Sequence, residues 1–119
     1  MALRSPASNL NGGNPATFTQ LTAQSLGLNI RTVTGTTTAT VTDFTVLGNA
    51  TTAAFTITLP TAASASGHVM AFKKIDASAN AVTIKGNGTE LIDAANTNVL
   101  SAQYAFILIQ SDGTQWWIL

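Results

Sequence analysis

Residues 53–60 read "AAFTITLP". Apolar and polar side chains alternate here, so Phe55, Ile57 and Leu59 fall on one face and Thr56 and Thr58 on the other. That period of two is the mark of a half-buried strand. Pro60 ends it, because proline has no N–H to give to a ladder. The pattern recurs downstream. "GHVMAFKKI" follows Gly67, and "NAVTIKG" places Val82 and Ile84 inward. "GNG" reads as a hairpin turn with Asn87-Gly88 at its tip, and "TELID" as a further short strand. "AQYAFILIQ" is nearly all apolar and is predicted to be a central strand buried on both faces. "SDG" makes a tight turn, after which "TQWWIL" pairs back as the last strand. On that strand Trp116 and Ile118 share one face and Trp117 and Leu119 the other. One tryptophan can fill the core. The second needs cover from another layer, another subunit or a ligand such as a sugar ring, and a subunit contact is favoured because tryptophan is enriched at interface hot spots.

Upstream of residue 49 the character changes. Residues 18–48 include "IRTVTGTTTATVTDFTVL", which sets Val33, Val41 and Val46 among threonines and reads as extended, Thr-faced strand. "SLGLNI" has the makings of a helical turn, interrupted by Gly27. Residues 1–17, "MALRSPASNLNGGNPAT", are rich in Pro, Gly, Asn and Ser and read as a flexible arm. The expected organisation is therefore an arm (1–17), a Thr-rich extended region (18–48) and a compact β domain (49–119). The expected fold class is all-β: an antiparallel β-sandwich or barrel-like domain preceded by an extended N-terminal arm.

Composition narrows the function. The 119 residues suit one modest domain. Only 8% are charged and the net charge is zero. A phosphate-binding surface needs clustered Lys and Arg, and Lys73-Lys74, read as a solvated strand end, is only a pair, so no nucleic-acid partner is expected. A charge-poor surface guards weakly against association, which points to cover by other copies of the chain. There are no cysteines, hence no disulfides and no thiolate metal site. No apolar run approaches the ~20 residues of a membrane span, and "MALRSPASNL" lacks the apolar core of a signal peptide.

Catalytic constellations are thin. His68 is the only histidine, and it follows Gly67 where a solvated edge residue is expected. Asp43, Asp76, Glu90, Asp93 and Asp112 are scattered, too few together for a metal. Asp76 and Asp112 sit in apparent turns, where carboxylates bond local N–H groups. Glu90 and Asp93 are the closest acids, but three residues apart on a strand they point to opposite faces, unlike the facing carboxylates of a glycosidase. No catalytic residue, cofactor or metal is assigned.

The ordered series Thr56–Pro60, Gly67, Lys73–Asp76, Ser78, Asn80, Val82–Ile84, Ile92-Asp93, Tyr104 and Ser111–Leu119 resembles a β domain of tailed-bacteriophage virion proteins. The resemblance covers a little over half the chain. It departs at Ala94, where the family often has glycine. The family includes tail fibres, head fibres and capsid decoration proteins, usually trimeric, some acting in surface attachment. A small knob with a short arm resembles a decoration (cement) protein. The resemblance thus implies a homotrimer on the capsid exterior, made in the bacterial host cytoplasm and partnered by the major capsid protein. A tail component binding host surface glycan is the alternative. The interface candidates are Trp116, Trp117 and Tyr104, with Leu10, Phe18 and Leu21 of the amino-terminal region, which have no obvious place in the compact domain.

Overall fold

Thr, Val and Ile hold the backbone extended, because a branched Cβ restricts χ1 and fits a pleated surface. In the computed structural model, which describes residues 22 and 24–119, they build nine short strands and, among the described residues, no helix. These are β1 (Ile30–Val33), β2 (Thr37–Thr38), β3 (Thr45–Gly48), β4 (Phe55–Thr58), β5 (Val69–Lys74), β6 (Val82–Lys85), β7 (Thr97–Leu100), β8 (Phe106–Ser111) and β9 (Trp116–Ile118). They form a five-stranded sheet ordered β1-β3-β5-β8-β9 and a four-stranded sheet ordered β2-β4-β6-β7.

From β1 to β6 the chain changes sheet at every strand. Each strand therefore lies beside the one two elements back, and it lies parallel to it: β1, β3 and β5 in one sheet, β2, β4 and β6 in the other. Like positions stack, as in Thr37 beside Ile57 and Ile57 beside Ile84. A parallel pair cannot be closed by a tight hairpin; here the crossover runs through the opposite sheet. Only at the end does the chain reverse. β7 is antiparallel to β6, β8 to β5, and β9 to β8. The sheets are thus mixed, and the expectation of an antiparallel sandwich is corrected: turn residues mark where a strand ends, not which strand it joins.

Inward positions alternate with outward ones. β4 buries Phe55 and Ile57, β5 Met70 and Phe72, β6 Val82 and Ile84, and β8 Ile107 and Ile109. Val46 and Trp116 complete the layer between the sheets, Trp116 with no exposed surface. β3 is an interior strand between β1 and β5, so the boundary expected at residue 48 falls inside one continuous fold.

Other local expectations change too. "TELID" contributes only two isolated bridges at Ile92, to Ala95 and to Trp116, and the strand that pairs with β6 is Thr97–Leu100. Leu26 and Leu28 lie in an exposed non-helical segment, and Val41 sits in an exposed turn. β8 is interior to its sheet but buried on one face: Phe106 is 67% exposed and Leu108 half-buried. Lys74, read as a solvated strand end, is completely buried, because it shares the inward face of β5 with Met70 and Phe72.

Candidate functional site

The five carboxylates are all engaged by named donors. Asp43 receives Nε and a terminal nitrogen of Arg31 at 2.7 and 2.9 Å, and the Thr40 N–H at 2.9 Å. The Arg31 hydrogen bonds hold its carboxyl below the ordinary range against the opposing pull of burial. Asp76 is buried beside Lys74, whose Nζ lies 2.7 Å away. It also accepts the N–H groups of Ala50 (2.7 Å) and Ser78 (3.0 Å) and the Ser78 hydroxyl. Burial, the largest influence, opposes its ionisation, but the bonds from Lys74, Ser78 and Ala50 together outweigh it and hold the carboxyl far below the usual range.

The remaining acids serve the backbone. Glu90 accepts the Ala62 N–H at 2.9 Å. Asp93, in the left-handed region at φ 53°, accepts the Ile118 N–H at 2.9 Å and gives its own N–H to the Trp116 carbonyl at 2.9 Å. Asp112 accepts Trp117 Nε1 (2.8 Å) and the N–H groups of Thr114 and Gln115 (2.8 and 2.9 Å). The Trp117 bond leads these in holding its carboxyl below the ordinary range. Among the described residues no cluster of His, Cys, Asp or Glu is arranged to hold a metal ion. His68 is exposed at the entry to β5.

The distinctive surface is the outer face of the five-stranded sheet. The strand registers arrange it in rows. One row is Ile30, Thr45, Ala71 and Leu108, continued by Leu119, whose N–H bonds the Leu108 carbonyl at 2.9 Å. The next is Thr32, Leu47, Lys73 and Phe106. The last is Val69, Gln110 and Trp117. The exposed members include Ile30 (61%), Phe106 (67%), Leu119 (63%) and Trp117 (45%). Lys73 is the only charged side chain in these rows. Its Nζ lies 5.5 Å from the Tyr104 ring centre and 5.7 Å from that of Phe106, within cation–π range. Tyr104 is itself held at φ 67°, its N–H bonded to the Lys74 carbonyl at 2.8 Å.

The outer face of the other sheet is built differently. Its rows are Thr38, Thr58, Lys85 and Thr97, and Thr56, Thr83 and Val99. Hydroxyls dominate there, as on an ordinary solvated sheet.

Of the interface candidates, Trp116 is wholly buried within one copy, which removes it from any contact surface. Trp117 lies on the apolar outer face. Tyr104 stands at its border and is 60% exposed. Leu10, Phe18 and Leu21 lie outside the described residues. Phe106, Leu108, Leu119 and Ile30 were not singled out by sequence reasoning. For Phe106 and Leu108 the signal was the apolar run in "AQYAFILIQ", which implies cover on both faces of β8, whereas the described residues supply it on one. No protein-family model matches the chain, and no curated protein matches it.

Proposed function

We propose that the chain is a structural protein of a tailed-bacteriophage virion, a homotrimeric decoration protein that binds the major capsid protein on the capsid exterior and stabilises the head shell. The observation that carries this reading is the ordered motif series from Thr56 to Leu119. Its members also hold joints of the fold. Lys74 and Asp76 form the buried ion pair, Asp93 holds the edge of β9, and Asp112 fixes the final hairpin. The engagement of all five carboxylates by structural donors supports a role in assembly over catalysis.

The test is copy number. Quantitative mass spectrometry of purified particles, scaled to the major capsid protein, is expected to find hundreds of copies. A handful in multiples of three places the protein on the tail, and none ends the virion reading. One observation favours a second reading, attachment to host surface glycan: Tyr104 and Phe106 are exposed aromatics with a cation between them, a stacking platform for an acidic sugar. That reading expects saturable binding to host polysaccharide, lost in Tyr104→Ala. Unsaturable binding, or none, removes it.

A further inference from the structure

We infer that copies of this chain pack against one another through the outer face of the five-stranded sheet, the Lys73 end of one face meeting the Asp112 end of the next. The inference deepens the self-association in the proposed function and names its surface.

The first support is the contrast between the two outer faces. Both belong to one chain of low charge, yet the four-stranded sheet presents threonine and the five-stranded sheet presents Ile30, Leu47, Leu108, Phe106, Trp117 and Leu119. With strands ~4.8 Å apart and ~3.3 Å per residue, this outer face as a whole, its threonines, Lys73 and Gln110 included, covers roughly 400–500 Å². That lies in the middle of the range of about 300–600 Å² for the largest patch of a monomer, and such patches are often functional. Leu26 and Leu28, in the segment before β1, are likewise 67% and 50% exposed.

The second support is what happens at the sheet's edge. A strand edge recruits partners through unpaired backbone groups. At β9 that route is closed, because Asp93 takes the Ile118 N–H and donates to the Trp116 carbonyl. A partner at this side of the molecule meets the face, not the edge.

The third is charge. Lys73 stands beside Phe106 at one end of β8, and Asp112 follows Ser111 at the other. A ring of copies with this sheet turned inward and its strands running around the axis brings the end of one face to the start of the next. Ammonium then meets carboxylate, and apolar rows meet apolar rows. The same surface thus matches itself head to tail, a heterologous contact, which makes a ring where its rotation closes.

The experiment is native mass and light scattering of the full chain over a wide range of concentration, with amine-labelling rates of Lys73 and Lys85, which sit on opposite outer faces. A multi-copy species is expected, with Lys73 increasingly protected as concentration rises and Lys85 unchanged. Leu108→Lys, on the outer face, is expected to weaken association by roughly 30-fold or more, as for an interface hot spot; Thr83→Lys, on the other face, leaves it intact. A wild-type monomer at all concentrations overturns the inference, as does an assembly in which Lys73 labels as fast as it does in the dilute chain. The labelling uses the unaltered chain, so it stands even where Leu108→Lys does not fold. A particle without this protein defeats the virion reading and leaves the face untouched. A monomeric chain found on particles does the reverse.

Discussion

At the scale of single residues, the core is set by one indole and the pH response by a few carboxylates. Trp116 is among the largest wholly buried side chains, and its Nε1 has no hydrogen-bond partner among the described residues. Trp116→Ala is expected to lose about 3–5 kcal/mol, the usual cost of emptying a buried aromatic site. Trp116→Phe loses less, because removing an unpaired buried donor returns ~1–3 kcal/mol against the lost contacts. Urea midpoints of the two variants check this; a Trp116→Phe loss as large as that of Trp116→Ala would show that neither the retained ring nor the removal of the unpaired donor recovers stability. The aspartates act with a definite sign. Asp43, Asp76 and Asp112 have folded-state pKa values below the ordinary 3.8. Above that value both states are ionised and their stabilisation is complete. As pH falls below it the unfolded chain takes up protons that the folded chain refuses, and the stabilisation is gone once pH passes the folded values. The urea midpoint should therefore be nearly flat from neutral pH down to about 5 and fall steeply below about 4. Asp43→Asn should make that acid limb shallower; an unchanged limb would remove Asp43 from the account.

At the scale of elements, β9 shows how a short strand is made secure. It has three residues, and Asp93 reaches its outer edge from a left-handed backbone position. Asparagine keeps both the acceptor oxygen and tolerance of that conformation, glycine keeps only the conformation, and alanine keeps neither. The expected order of stability at this position is Asp, then Asn, Gly and Ala, with Ala lower than Asp by about 1–3 kcal/mol. Thermal midpoints test the order; Ala as stable as Gly would show that the backbone is not strained there. The strands themselves were readable where alternation was strong. "FTITL", "VTI" and the final hairpin hold the faces that their period predicts. Lys74 was readable too, by the same alternation that buries Met70 and Phe72, but paired lysines look solvated until a carboxylate two residues on is seen to neutralise one of them. β7 was not readable: "TNVL" has two apolar residues, and Val99 faces out while Leu100 faces in. Parallel pairing was not readable either. Local pattern fixes which face of a strand is inward, whereas the neighbour is chosen by how the chain circuits between the sheets.

At the scale of the whole molecule, that circuit makes the chain indivisible over its described strands. A change in composition near residue 49 looks like a domain boundary, yet β3 supplies the parallel neighbour of β5, and β2 that of β4. A fragment of residues 49–119 would leave β5 and β4 as unprotected edges. It would also remove Val33, Ala39 and Val46 from the core and the Arg31–Asp43 pair from its rim. It would separate β5 from Gly48, the position whose added Cβ would lie 3.0 Å from Val82, where the two sheets approach closely. Nothing downstream can take these places, because β7, β8 and β9 are already paired on the other side. The fragment is therefore expected to unfold without a cooperative transition and to bind apolar dye, while a chain of residues 24–119 melts in one step. Circular dichroism during heating, with near-ultraviolet signals from the tryptophans, compares the two. A cooperative melt and a native tryptophan spectrum in residues 49–119 would show that the last six strands form a domain by themselves, with β1 to β3 laid on afterwards. In the structure described here β3 is instead an interior strand, and the stability of the later strands depends on it.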